Sequence, residues 1–224
     1  MTNSVEYWIN ARYKSAMALD AGPVDDLQER LRELRKRWIG RFSDASHIVS
    51  RHFVEKAVKR VDTTLTTQLR THNLGIKFEM TDSIRTVMEA SVAENVALIK
   101  SIPEKYLSDV EGLVMRSVSK GGAAYELRKS LEERYNITKN RAILISRDQN
   151  SKATAMFNRA RQIEMGVEKA IWKHSSAGRT PRPDHVHANG QEYDIHKGMK
   201  LDDGWVFPGE LINCRCIGQP ILEF

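Results

Sequence analysis

From Val24 to Leu69, apolar residues recur at steps of three and four. Val24, Leu27, Leu31, Leu34, Trp38, Ile39 and Phe42 form a first stripe, and Ile48, Val49, Phe53, Ala57, Val58, Val61, Leu65 and Leu69 continue it. This one-sided spacing is that of an amphipathic helix. Pro23, after the breaker AGP, suits a first helical turn. Asp25 and Asp26 suit the positive end of the helix dipole, and Asn73 and Gly75 offer a stop. Gly40 is the one glycine in this stretch and no proline interrupts it. The pattern therefore predicts one long helix, with room for a bend near GRFSDAS.

A second stripe, Ile84, Val87, Met88, Ser91, Val92, Val96 and Ile99, predicts a helix over 81–101 that ends ahead of Pro103. Shorter helices are predicted over 103–119 and 123–135, separated by KGG. Another runs from an N-cap at Thr138 to about Met165, with Gly166 as its C-cap. The texture changes at Val167, beyond which glycines, prolines, aromatics and most of the histidines gather. EKAIWKHS and CRCIGQPILE predict short strands, and SSAGRTPRPDH and HKGMKLDDGWVFPGE predict ordered loops. Asp202 and Asp203 before Gly204 read as a turn, and Gly190 as another. The sum is an α+β fold, mostly α-helical. A long helical arm spans residues 1–104 and a compact module with a small β-sheet spans 105–224.

Composition sharpens this. The chain has 224 residues, 41% hydrophobic and 29% charged, enough to bury a real core. No apolar run approaches the roughly 18 residues of a membrane span. The opening MTNSVEYWIN lacks the apolar stretch of a secretory signal. Two cysteines cannot build a disulfide framework. The expectation is a chain made in a reducing cytoplasm, with no membrane partner. Lys and Arg number 35 against 29 Asp and Glu, a net charge of +6. That balance permits contact with a polyanion without requiring it.

The cysteines, Cys214 and Cys216, stand in INCRCIGQPI. On a strand, residues two apart share a face, so both sulfurs would point one way and Arg215 the other. That spacing is poor for a disulfide. It suits two ligands of a tetrahedral zinc site, completed by His185 and by His187, Asp184 or water. The competing use is burial of two small apolar side chains. Arg179 and Arg182, stiffened by neighbouring prolines, fit either anion binding or bracing of their loop. His185 fits a general base, a ligand or a hydrogen-bonded structural residue. On the preceding helix, Ile145, Ala153, Met156, Phe157, Ala160 and Ile163 supply a core face, while Gln149 and Asn158 are placed to bond the C-terminal strands.

The order of these pieces resembles a known family. SRDQNSKATAMFNRARQIEMG, a strand with Trp172, RTPRPDHVHANGQEY and then PGELINCRC look like phage head-morphogenesis proteins, the minor head proteins of the Mu F type. Arg147, Asn158 and Arg161 match the family's helix positions. Trp172, Arg182, His185, Gly190, Pro208, Asn213, Cys214 and Cys216 match the remainder. Asp148 and Gln149 stand where Thr and Glu are usual, and Gly178 stands where many relatives carry Asp. The likeness covers the C-terminal half. It implies a virion protein, made in the infected cell and present in a few copies per capsid, whose partners are the portal, the capsid or scaffold proteins and, for some relatives, phage DNA. It implies no enzymatic activity for the module.

On the arm, Arg30, Arg35, Arg37 and Arg41 could screen phosphates of packaged DNA, while Leu27, Leu31, Leu34 and Trp38 could dock on portal helices. A different reading makes the His/Cys cluster the centre of a metal-dependent nuclease or other hydrolase. Thiolate-rich sites are more often structural than hydrolytic, so any zinc is expected to be structural and no catalytic residue is assigned.

Overall fold

A computed structural model describes residues 1–17, 23–71, 73–119, 124–176 and 180–222. Four helices come first: α1 (Thr2–Met17), α2 (Pro23–Thr71), α3 (Asp82–Ser119) and α4 (Ala124–Glu164). The C-terminal part follows as β1 (Lys169–Lys173), α5 (Pro183–His187), β2 (Glu192–Asp194), β3 (Met199–Leu201), β4 (Gly204–Val206) and β5 (Ile217–Pro220). The fold is α+β and mostly helical. Among the described residues no helix is long and apolar enough to cross a membrane.

The long helix predicted from Val24 is present as 49 residues of α2. Asn73 ends it. With φ at 60°, its N–H reaches the carbonyl of Arg70 and that of Leu74 reaches Leu69, the bond pair of a Schellman cap. Two predicted breaks are absent. α3 runs through Pro103 and α4 runs through Thr138. Proline costs one backbone bond and a steric kink. Here the residues beyond it, Tyr106, Leu107, Val110 and Val114, are all buried, and that packing carries the helix onward. Thr138 remains a helix-interior residue because its neighbours on both sides keep the helical spacing. The sequence reading missed α1, whose signal is Val5, Ile9 and Tyr13 at steps of four. The predicted KGG separator, Gly178 and Arg179 lie outside the described residues.

Two compact units form. One comprises Met1–Val49 with Glu94–Ile143, the other Ser50–Ala93 with Leu144–Phe224. The boundary expected near residue 105 falls inside α3, because α2, α3 and α4 each contribute to both units. In the first, Val5, Ile9 and Tyr13 of α1 pack with Leu27 and Leu31 of α2, four residues of α3 and Leu127 and Leu131 of α4. Tyr13 closes the layer with a 2.7 Å hydrogen bond to Ser117. This corrects one expectation. Leu27, Leu31 and Leu34 are buried in the protein's own interior and Trp38 packs partly against it, so this stripe is not a face for a partner. A free amphipathic stripe and a core stripe look alike in sequence. Full burial of one such leucine is worth about 2 kcal/mol, which favours intramolecular packing.

In the second unit, Thr81 caps α3 by accepting the N–H of Ile84 at 3.2 Å. Gly166, at φ 77°, ends α4 as predicted, with Val167 N–H on Gln162 and its own N–H on Ile163. β1 is the centre of a three-stranded antiparallel sheet in the order β2-β1-β5. β3 and β4 form a hairpin whose two-residue loop is Asp202–Asp203, the turn the sequence predicts. The core of this part gathers Ala170, Trp172, Ala188, Tyr193, Met199, Val206, Cys214 and Cys216.

Candidate functional site

The site assembles from α5 and the segment that leads into β5. α5 opens with Pro183 at its first turn, and Asp184 accepts the N–H of His185 at 2.9 Å and that of Asp202 at 3.3 Å. This seats α5 on the hairpin and turns His185 inward, where it is 2% exposed. Trp172 of β1 meets the imidazole edge to face at 5.1 Å.

The cysteines are not on a strand. β5 starts at Ile217, and Cys214 to Cys216 form an extended lead into it. The predicted alternation survives: Cys214 and Cys216 are buried and Arg215 is exposed. The segment is held by a turn at Asn213, at φ 60°, a conformation that asparagine tolerates better than most residues. The N–H of Asn213 donates to Asp148 of α4 at 2.6 Å.

Nδ1 of His185 lies 3.5 Å from Sγ of Cys214 and 3.7 Å from Sγ of Cys216. The three donor atoms fall within 4.8 Å of one another. The Cys216 side chain hydrogen-bonds the Cys214 sulfur. With backbone N–H groups of Cys216 and Gly209 and the nearby His185, this pulls the Cys214 pKa down against the opposing effect of burial. The same hydrogen bond, together with burial, pushes Cys216 up, while the Ser175 N–H bonds its sulfur. His187 is exposed and stands outside the cluster. The reason is helical geometry: two residues apart on α5, it points away from His185. Asp184 is likewise occupied with backbone donors.

The remaining motif residues brace this part. Asn158 and Gln162 of α4 both donate to the carbonyl of Gly218, at 3.3 and 3.0 Å. Arg159 donates to the carbonyls of Ile195 and His196, at 2.8 and 3.3 Å, and lies over the Phe207 ring. Arg182 donates to the carbonyl of Ile212 at 3.2 Å. Gly190, at φ 86°, turns the chain so that its N–H meets the Trp172 carbonyl at 2.8 Å. Pro208 is buried, whereas Arg147 is exposed.

Arg161, 2% exposed, grips both oxygens of Asp62 on α2 at 2.8 and 3.0 Å, the Glu79 carbonyl at 2.8 Å and Glu164 at 2.8 Å. It thereby joins α2, the irregular segment 73–81 and α4. Sequence reading assigned Asp148 and Arg159 no bracing role and did not mark Gln162 at all. The one available signal was three polar residues next to the apolar face of α4.

Of the arm arginines, Arg30 pairs with Glu33 and lies over the Trp8 ring. Arg35 approaches Glu111 at 3.5 Å. Arg37 and Arg41 are exposed, with Arg41 over Trp38.

Residues 108–218 match the family model described as phage Mu protein F like protein. The chain is 33% identical over 141 residues to an uncharacterized protein of Haemophilus influenzae; the alignment covers 63% of this chain and 31% of that one. No solved structure matches the chain.

Proposed function

We propose, from the match of residues 108–218 to the phage Mu protein F-like family model, that the protein is a minor head protein, a structural part of the phage head that sits at the portal on the capsid interior. The supporting observation is where the motif side chains go. Asn158, Arg159, Gln162 and Arg182 donate to main-chain carbonyls of the C-terminal segments. Side chains spent on holding a loop in shape suit a building block better than a catalyst.

With Leu27, Leu31 and Leu34 buried, the portal contact we propose falls to other apolar residues of the first unit. Ile48 and Val49 on α2, and Tyr125 and Ile137 on α4, are large, exposed and apolar. Arg37 and Arg41 are assigned to packaged DNA, because exposed guanidinium groups can replace counterions on phosphates.

Co-expression with the portal and major head proteins of the same phage tests the assembly role. The protein should sediment with heads in a few copies. Heads that form normally while the protein stays in the soluble fraction would overturn it. Replacing Arg37 and Arg41 by Glu should flatten the salt dependence of DNA binding by about two units of log–log slope. Incubation with plasmid and Zn, Mg or Mn should leave the DNA whole; cutting that His185→Ala abolishes would favour a hydrolase.

A further inference from the structure

We infer that Nδ1 of His185 and the sulfurs of Cys214 and Cys216 hold a zinc ion, with water as the fourth ligand, and that the ion clasps α5 to the segment leading into β5. The inference stands independently of the assembly role.

The distances carry it. Zinc binds sulfur at about 2.3 Å and nitrogen at about 2.0–2.1 Å in a tetrahedron. The nitrogen-to-sulfur edge of such a tetrahedron is then about 3.6 Å. His185 Nδ1 stands 3.5 and 3.7 Å from the two sulfurs. Both nitrogen-to-sulfur edges of the cluster thus already have the length that a zinc tetrahedron needs, and all three donors lie within 4.8 Å of one another.

The surroundings fit the same ligand set. All three residues are buried, so ligand geometry is fixed by packing. Backbone N–H groups of Gly209 and Cys216 point at the Cys214 sulfur, and that of Ser175 at Cys216. Such donors offset the negative charge of metal-bound thiolates and orient them. Nε2 of His185 is buried without a hydrogen-bond partner, so the ring meets its polar surroundings through Nδ1. Two thiolates and an imidazole select zinc over magnesium or manganese.

The fourth corner follows from what the neighbours do. His187 faces away from the cluster, and the Asp184 carboxylate accepts two backbone N–H groups. Among the described residues no fourth His, Cys, Asp or Glu donor joins the group. Water therefore completes the tetrahedron.

The full-length protein, purified after growth with zinc, should contain one zinc per chain by elemental analysis. Zinc-edge X-ray absorption should fit two sulfurs, one imidazole and one further oxygen. With Co(II) in place of zinc, the wild-type protein should show a thiolate-to-cobalt charge-transfer band and tetrahedral visible bands. Cys216→Ser should lose about half of that charge-transfer intensity. A ratio far below one after incubation with Zn(II), or a cobalt spectrum without thiolate bands, overturns the site. A fit with two imidazoles overturns the water ligand. A melting temperature unmoved by chelator overturns the clasp. The wild-type measurements decide even if a cysteine variant fails to fold.

Discussion

Nδ1 of His185 and Sγ of Cys214 stand 3.5 Å apart although 29 residues separate them in the chain. Two local devices create this meeting. Asp184 and Pro183 seat α5 so that His185 faces inward, and the turn at Asn213 aims Cys214 to meet it. Neither device lies in the cluster itself, so each can be disturbed without touching a sulfur or the imidazole.

Asp148 is the support of that turn. Asp148→Ala removes the acceptor of the Asn213 N–H and should cost about 1–3 kcal/mol. Asp148→Asn retains an oxygen at the same place and should lose less. Chemical denaturation of the three proteins, compared at constant m value, checks the order. Equal stability of all three would show that the 2.6 Å bond contributes nothing.

Arg161 is the most heavily engaged cation described. Arg161→Ala strands two carboxylates, Asp62 and Glu164, that are 25% and 23% exposed at the side chain. The expected loss is about 3 kcal/mol, the lower part of the range for breaking a buried pair. Arg161→Lys keeps the charge but cannot grip Asp62 through two nitrogens while reaching the Glu79 carbonyl. It should recover only a minor part of the loss, as read from thermal melts.

Gly218 and Tyr193 form a tight crossing between β5 and β2 across β1. A Cβ on Gly218 would fall 2.2 Å from the Tyr193 hydroxyl oxygen but 3.4 Å from the ring carbon bearing it. Gly218→Ala alone should therefore cost about 1–3 kcal/mol. In combination with Tyr193→Phe the penalty should shrink clearly, because the clashing atom is gone. A double-mutant cycle measures the coupling, and strict additivity would contradict the placement of the hydroxyl.

Burial pushes Tyr193 from 10.0 up to about 12, outweighing the downward pull of Arg159. A folded-state pKa above the unfolded value means full stabilisation below pH 10 and progressive loss as pH rises toward 12. Unfolding followed across that window should show a falling limb that Tyr193→Phe weakens. Tyr106 in the first unit is shifted the same way, chiefly by burial, so part of the limb should persist.

The long helices were legible because their apolar residues repeat over many turns, and so was the small sheet around Trp172. Pro103 misled because tertiary packing overrides a local breaker when the residues beyond it are buried, and Thr138 because a residue suited to a cap sits where its neighbours keep the helical spacing. The stripe at Leu27, Leu31 and Leu34 was seen correctly as apolar, yet sequence cannot say which partner an apolar face meets. Around the cluster, His185, Cys214 and Cys216 were visible as residue types with suitable chemistry. His187 separated from them because α5 is a helix where the sequence suggested a loop. The braces from Asp148, Arg159 and Gln162 were hidden, since their partners are a turn N–H or main-chain carbonyls that leave no mark in the sequence.

That last feature has an evolutionary consequence. A main-chain carbonyl is present whatever residue carries it, so Ile195, His196 and Ile212 can drift in identity without releasing the arginines that hold them. Related chains should therefore keep the donors on α4 and at Arg182 while varying freely at the positions gripped, and a comparison based on those variable positions would understate how closely two such molecules are built alike.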